Sequence, residues 1–179
     1  MDSVETVLAE IGKVASLVDR DEMSAMEHEI LRAKRVYLAG VGRSGLMIRA
    51  FANRLMHLGL LSNVVGDVTS PHSELGDLLL VGSGSGETDS LVTLAKRAKA
   101  GSLRLGLVSI SPHSTISRLA DAVLVVPAQV KGEEGTSRQP MASTFEQSCM
   151  VLYDAMTLDL MALMGETGAT MFERHADLE

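Results

Sequence analysis

Two glycine-rich stretches hold the residues best suited to chemistry. In Ser83-Gly84-Ser85-Gly86-Glu87-Thr88, three hydroxyls stand among backbone amides with little side-chain cover. If such a stretch opens a helix, its orphan N–H donors and the helix dipole favour an anion there. No lysine follows in the Walker pattern, so a nucleoside triphosphate with magnesium fits poorly. A phosphomonoester needs only hydroxyl and amide donors plus one cation at most. Ser83, Ser85 and Thr88 are therefore candidate phosphate-binding residues, with Gly84, Gly86 and Glu87 as weaker neighbours. The competing reading makes the Ser and Thr residues ordinary helix caps. The other stretch, Gly40-x-Gly42-x-x-Gly45, spells the dinucleotide fingerprint, and Asp67 lies where that motif's ribose-binding acid would fall. Glycines are equally what any tight strand-to-helix turn requires. Within it, Ser44 offers a fourth hydroxyl and Arg43 a cation near a bound phosphate, although a solvated arginine at a helix start is an equal reading.

Proton-transfer candidates are fewer. Glu146 opens a helix otherwise packed with apolar side chains, but Ser143-x-x-Glu146 is also capping-box spacing, in which the carboxylate only satisfies a helix-start amide. Spacing alone leaves both roles open. Glu87 would set a negative charge beside a bound phosphate, so a structural role, such as capping its own helix, suits it better. His175 lies in a tail with no core pattern beyond Met171-Phe172 and reads as an exposed histidine. His28, His57, His72 and His113 are scattered without ligand spacing, and Cys149 reads as a small hydrophobe. No metal is expected.

These residues need elements to position them. Val4, Val7, Leu8, Ile11, Val14 and Val18, then Met23, Met26 and Ile30, keep helical spacing over residues 4–30. Val36-Tyr37-Leu38-Ala39 is a short apolar run ending in the first glycine turn, and helical periodicity follows at Ile48, Phe51, Ala52 and Leu55. Asn63-Val64-Val65 resembles a short strand, and Asp77 to Val81 a buried one that ends in the second glycine stretch. A helix is predicted from Asp89 to Ala100, a strand over Arg104 to Ile110, a short helix over Ser114 to Leu119 and a fifth strand over Ala122 to Val126. Near-continuous apolar strands separated by helices indicate a parallel sheet covered on both faces. The expected fold is an α/β three-layer α/β/α sandwich with a five-stranded parallel sheet and helical N- and C-terminal extensions, one domain over residues 1–179. Ala128 to Gln139 loses the apolar pattern and is a lid candidate. The helix from Met141 to Met164 is apolar on most sides. With little interior left after the sheet is covered, its burial is expected to come from another subunit.

Composition removes several classes. The 16 Lys and Arg against 23 Asp and Glu give a net charge of -7, the wrong sign for a nucleic-acid or anionic-membrane binder. Aromatics at 3% leave almost no platform for stacking bases. One cysteine makes neither an internal disulfide nor a thiolate zinc cluster. The acidic start Met1-Asp2-Ser3-Val4-Glu5 lacks a signal peptide's basic region, and no apolar run approaches membrane-spanning length, so a cytoplasmic enzyme is expected.

The strand ending in Gly-x-Gly-x-Ser and the later Ser-Gly-Ser-Gly-Glu-Thr loop resemble the sugar isomerase (SIS) domain family. Gly42 to Met47, Arg54 to Gly59, Gln139-Pro140-Met141, Phe145-Glu146-Gln147 and the ending Met171 to Glu179 resemble more closely its 6-phospho-3-hexuloisomerase branch, over nearly the full length. Ser73-Glu74, Ala142 and Thr144 depart from that branch's pattern. The resemblance implies conversion of a 3-ketose 6-phosphate to fructose 6-phosphate through a cis-enediol, without a cofactor. It implies Glu146 as the catalytic base and His175 as an assisting proton carrier, in some relatives supplied by a neighbouring subunit. It also implies a homotetramer, and a place in the ribulose monophosphate route of formaldehyde fixation after a hexulose-phosphate synthase. Three other readings remain at this stage: a non-catalytic SIS module that senses phosphosugar, an isomerase of another sugar phosphate such as arabinose 5-phosphate, and an NAD-dependent dehydrogenase lacking an obvious substrate domain.

Overall fold

The computed structural model describes residues 2–129 and 137–178. Two N-terminal helices, α1 (Ser3–Ser16) and α2 (Arg20–Arg32), are each started by an acidic cap. Asp2 accepts from the Glu5 amide while Glu5 accepts from the Asp2 amide, and Asp19 accepts from the Asp21 amide. Then follow β1 (Val36–Gly40), α3 (Gly42–His57), β2 (Ser62–Val64), β3 (Leu78–Gly82), α4 (Asp89–Ala100), β4 (Arg104–Ser109), β5 (Ala122–Val125), α5 (Ser143–Met164) and α6 (Gly168–Phe172). The strands form one five-stranded sheet in the order β2-β1-β3-β4-β5, parallel throughout. The sandwich expected from the apolar runs is present.

Each strand feeds both faces because successive side chains alternate. Val36 and Leu38 enter one core with Ile48, Phe51, Met26, Ile30, Leu152 and Met156. Tyr37 and Ala39 enter the other with Leu91, Ala95 and Ile116. The first face is covered by α2, α3 and α5; on the second, α4 is the only long helix among the described residues. That asymmetry corrects the expectation for α5. Most of its apolar surface is buried within its own subunit, with Phe145, Cys149, Leu152, Tyr153, Met156 and Leu160 at or below 2% exposure. Packing against α3, α1 and α2 provides the interior that the sequence seemed to lack. Val151, Leu158 and Leu163 remain exposed.

Residues 114–119 are a second correction. They form hydrogen-bonded turns, not a helix. Ser114 Oγ takes the Ser117 amide and Ser117 Oγ donates to the Ser114 carbonyl, the side-chain competition with backbone pairing that keeps serines out of helix interiors. The lid expected over 128–139 falls largely on residues 130–136, outside the described residues. Gly45 is needed for packing: a Cβ there would lie 2.7 Å from the Gly40 carbonyl oxygen, so the helix start can approach the strand end only without a side chain. This gives the dinucleotide-like spacing a packing explanation, and Asp67 is held by Arg49 at 3.3 Å.

One buried acid carries a pH signature. Glu27 of α2 is 5% exposed, its Oε1 has no hydrogen-bond partner, and it faces Asp159 of α5. Burial first, then the Asp159 charge, push its carboxyl from 4.5 up to about 7. Between those values the folded chain keeps a proton that the unfolded chain has released, so this group's contribution to stability falls as pH rises through the window. Glu27→Gln is expected to raise the melting temperature more at pH 8 than at pH 5; equal shifts at the two pH values would refute the assignment.

Candidate active site

β1 leads outward to β2, whereas β3 leads the other way to β4 and β5, so the chain reverses direction between β1 and β3. In open parallel sheets a crevice forms beyond the strand ends at such a point. Here a pocket of about 480 Å³ opens there. Its walls are Val41, Gly42, Arg43 and Ser44 after β1, Gly84 and Ser85 after β3, Ile110 after β4, and Met141, Ala142, Ser143, Phe145 and Glu146 at the start of α5.

Two helix N-termini face into this space. Val41 precedes α3 and Ala142 precedes α5 as the N-cap residues, and neither gives a side-chain capping bond. The first-turn amides of α3 are left for a ligand, whereas in α5 the Ser143 amide donates to the Pro140 carbonyl and the Phe145 amide to the Ala142 carbonyl; both positive dipole ends suit an anion. Ser44 and Ser85 add hydroxyls on the same walls. The capping-box alternative for Glu146 does not hold. Ser143 Oγ donates instead to the Pro140 carbonyl at 2.6 Å, and Glu146 turns to Arg43, whose guanidinium lies 3.0 Å from its Oε2. The same Arg43 nitrogen donates to Ser143 Oγ at 3.0 Å. Glu146 is mostly enclosed, its side chain 14% exposed, so the pocket presents an ionic pair beside donors suited to phosphate.

The Ser83 to Thr88 segment divides its work. Ser85 reaches the pocket. Ser83 is buried, and its Oγ accepts from the Gly86 amide at 3.2 Å, tightening the turn. Gly84 offers its carbonyl to the Ile110 amide and to Ser109 Oγ, which ties the loop to β4. Gly86 has φ 62, and a Cβ there would strike Ser114, so only glycine fits. Thr88 starts α4 without a side-chain capping bond. Glu87 does not cap its own helix as expected; it accepts from the Thr115 amide at 2.6 Å. Hydrogen bonding from Thr115 holds its carboxyl below the ordinary range and turns its charge away from the pocket.

His175 is elsewhere. Its ring stacks on His57 at 5.4 Å, at the end of α3 opposite Gly42. Fifteen helical steps separate those ends, about 22 Å at 1.5 Å per residue. Arg174 pins the tail there by donating to the His57 carbonyl and, through two nitrogens, to Glu166, each at 2.9 Å. The sequence reading missed the Met141-Ala142 wall. Both residues adopt left-handed backbone, φ 59 and 60, and non-glycine residues give no signal of that geometry. Among the described residues no group of three or more His, Cys, Asp or Glu could hold a metal ion, and no helix is long and apolar enough to cross a membrane.

A switch-point pocket of this kind belongs to a known class. The SIS domain model matches residues 29–158, and the chain belongs to that family. A Bacillus subtilis (strain 168) protein named 3-hexulose-6-phosphate isomerase is 39% identical over 179 residues, covering 98% of this chain and 97% of its own length. A Mycobacterium gastri protein of the same name is 39% identical over 180 residues, covering 99% and 90%. A solved structure of a hypothetical protein from Methanococcus jannaschii, for which 3-hexulose-6-phosphate isomerase function was inferred, matches with TM-score 0.86 and 29% identity over the whole of both chains.

Proposed function

We propose that this chain isomerises D-arabino-hex-3-ulose 6-phosphate to fructose 6-phosphate. The observation that carries the reading is the Glu146 carboxylate, paired with Arg43, inside a pocket whose walls include two helix starts and serine hydroxyls. The phosphate is held by the free amides of α3 with Ser44 and Ser85; Thr88, the residue before α4, is not among the pocket walls. Neutral donors fix a dianion without a metal. Glu146 takes the proton from C2 and returns it to C3 on the same face, through a cis-enediol, while a proton moves from the C2 oxygen to the C3 oxygen. Arg43 and the α5 helix start offer positive charge where enediolate charge develops. His175 is the carrier between the oxygens, and its place far from its own pocket fits donation to a neighbouring subunit.

That role needs an assembly. Val151, Leu158 and Leu163 on α5, with Val4 and Leu8 on α1, leave apolar surface for a second copy, consistent with the proposed tetramer. In the cytoplasm the enzyme would follow a hexulose-phosphate synthase, which supplies its substrate from ribulose 5-phosphate and formaldehyde. Supplying those reagents with the synthase and following fructose 6-phosphate tests the reading directly. Product formation dependent on this protein is expected. No product, with fructose 6-phosphate still raising the melting temperature, would favour a sensing module or another sugar phosphate.

A further inference from the structure

Glu10 lies on α1, an element to which the proposed reaction gives no chemistry. Its carboxylate is nevertheless surrounded by donors from the far end of the chain. Oε2 accepts from Ser137 Oγ at 2.6 Å, Gln139 Nε2 at 3.0 Å and Thr144 Oγ1 at 3.3 Å, and Oε1 accepts from the Arg138 amide at 2.7 Å. Burial alone would raise this carboxyl, but the four hydrogen bonds outweigh it and hold it at about 2. The donors lie on both sides of one turn. Ser137, Arg138 and Gln139 lead into Pro140-Met141-Ala142, and Thr144 lies two residues before Glu146.

That turn is strained. Met141 and Ala142 both hold left-handed backbone that L-residues with side chains disfavour, and strain of this kind persists only where surrounding contacts over-determine it. The α5 start has no side-chain cap of its own, so Glu10 is the carboxylate that joins the incoming strand of chain to the helix that carries Glu146. Met141, Ala142 and Ser143 are also pocket walls, and Ser143 orients Arg43.

We propose that Glu10 is a positioning residue for the reaction: its carboxylate clamps the left-handed turn before α5 and thereby sets where Glu146 and its Arg43 partner stand. The inference rests on the isomerase reading of this pocket. A glutamine at position 10 would keep the shape, but it has one acceptor oxygen and sets an NH2 group against donors. Ser44 lies in the first turn of α3 and Ser85 on the loop after β3, so phosphate binding does not depend on the clamp.

The test compares the full-length wild type, Glu10→Gln and Glu10→Gln with Ala142→Gly. Turnover in the coupled assay, melting temperature and amide hydrogen exchange of residues 141–146 are followed for each. Glu10→Gln is expected to lower kcat on the order of 10- to 100-fold, the scale of a misplaced catalytic group, with KM changed less than about threefold. Exchange at 141–146 should quicken at least about tenfold while the sheet stays protected. Glycine at 142 removes the left-handed penalty that the clamp offsets, and so should restore most of the lost kcat. Unchanged exchange at 141–146 overturns the proposal, as does a loss of activity that merely follows a lower melting temperature or is not recovered by glycine. If the wild type turns over no hexulose phosphate, the isomerase reading fails, and the exchange comparison alone still decides whether Glu10 clamps the turn.

Discussion

Glu146→Gln is expected to lower kcat by roughly 10³-fold or more while leaving binding of fructose 6-phosphate within a few-fold of wild type, the effect of removing a general base with the donors left in place. The substitution is close to isosteric, and its amide oxygen can still accept from Arg43, which lies 3.0 Å from Glu146 in the native pair. The helix starts of α3 and α5, Ser44 and Ser85 are untouched, so a phosphosugar keeps its anchors. Single-turnover kinetics with calorimetric binding separates the two effects. A variant retaining a tenth or more of wild-type kcat removes Glu146 from the role of base. Loss of binding together with turnover would instead make Glu146 a structural member of the pocket, acting through Arg43.

The strands and the two glycine turns were legible because a fully buried parallel strand is a contiguous apolar run, and Val36-Tyr37-Leu38-Ala39 and Leu78-Leu79-Leu80-Val81 have few other readings. The pocket walls after β1 and β3 followed from the turns that end those strands. What stayed hidden depends on pairings across long separations. Ser143 and Glu146 have capping-box spacing, and only Arg43, one hundred residues from Ser143, draws both into the pocket. Glu87 serves Thr115 instead of its own helix, and Glu10 serves a turn more than 120 residues later. The burial of α5 was misread for a related reason. Hydrophobicity reports how much surface a helix must cover, and not whether the cover comes from α3 and α1 or from another chain.

Two variants expected to be inactive alone, Glu146→Gln and His175→Ala, are expected to regain activity when unfolded and refolded together. The expected yield follows from the geometry. Each chain holds His175 on His57, about 22 Å along α3 from the start of its own pocket, so one chain cannot supply both groups to one site. If each pocket takes its carboxylate from one subunit and its imidazole from a neighbour, random assembly of equal amounts gives about a quarter of the sites both groups. Activity near a quarter of refolded wild type is therefore expected, with each variant alone remaining low. An imidazole suits the exchange between sugar oxygens because it gains and loses a proton near neutral pH. A mixture no more active than its components, although mass measurements show mixed assemblies, would sink donation by a neighbour. If His175→Ala alone keeps wild-type kcat, the histidine has no part in the reaction, and its stacking on His57 serves only to dock the tail.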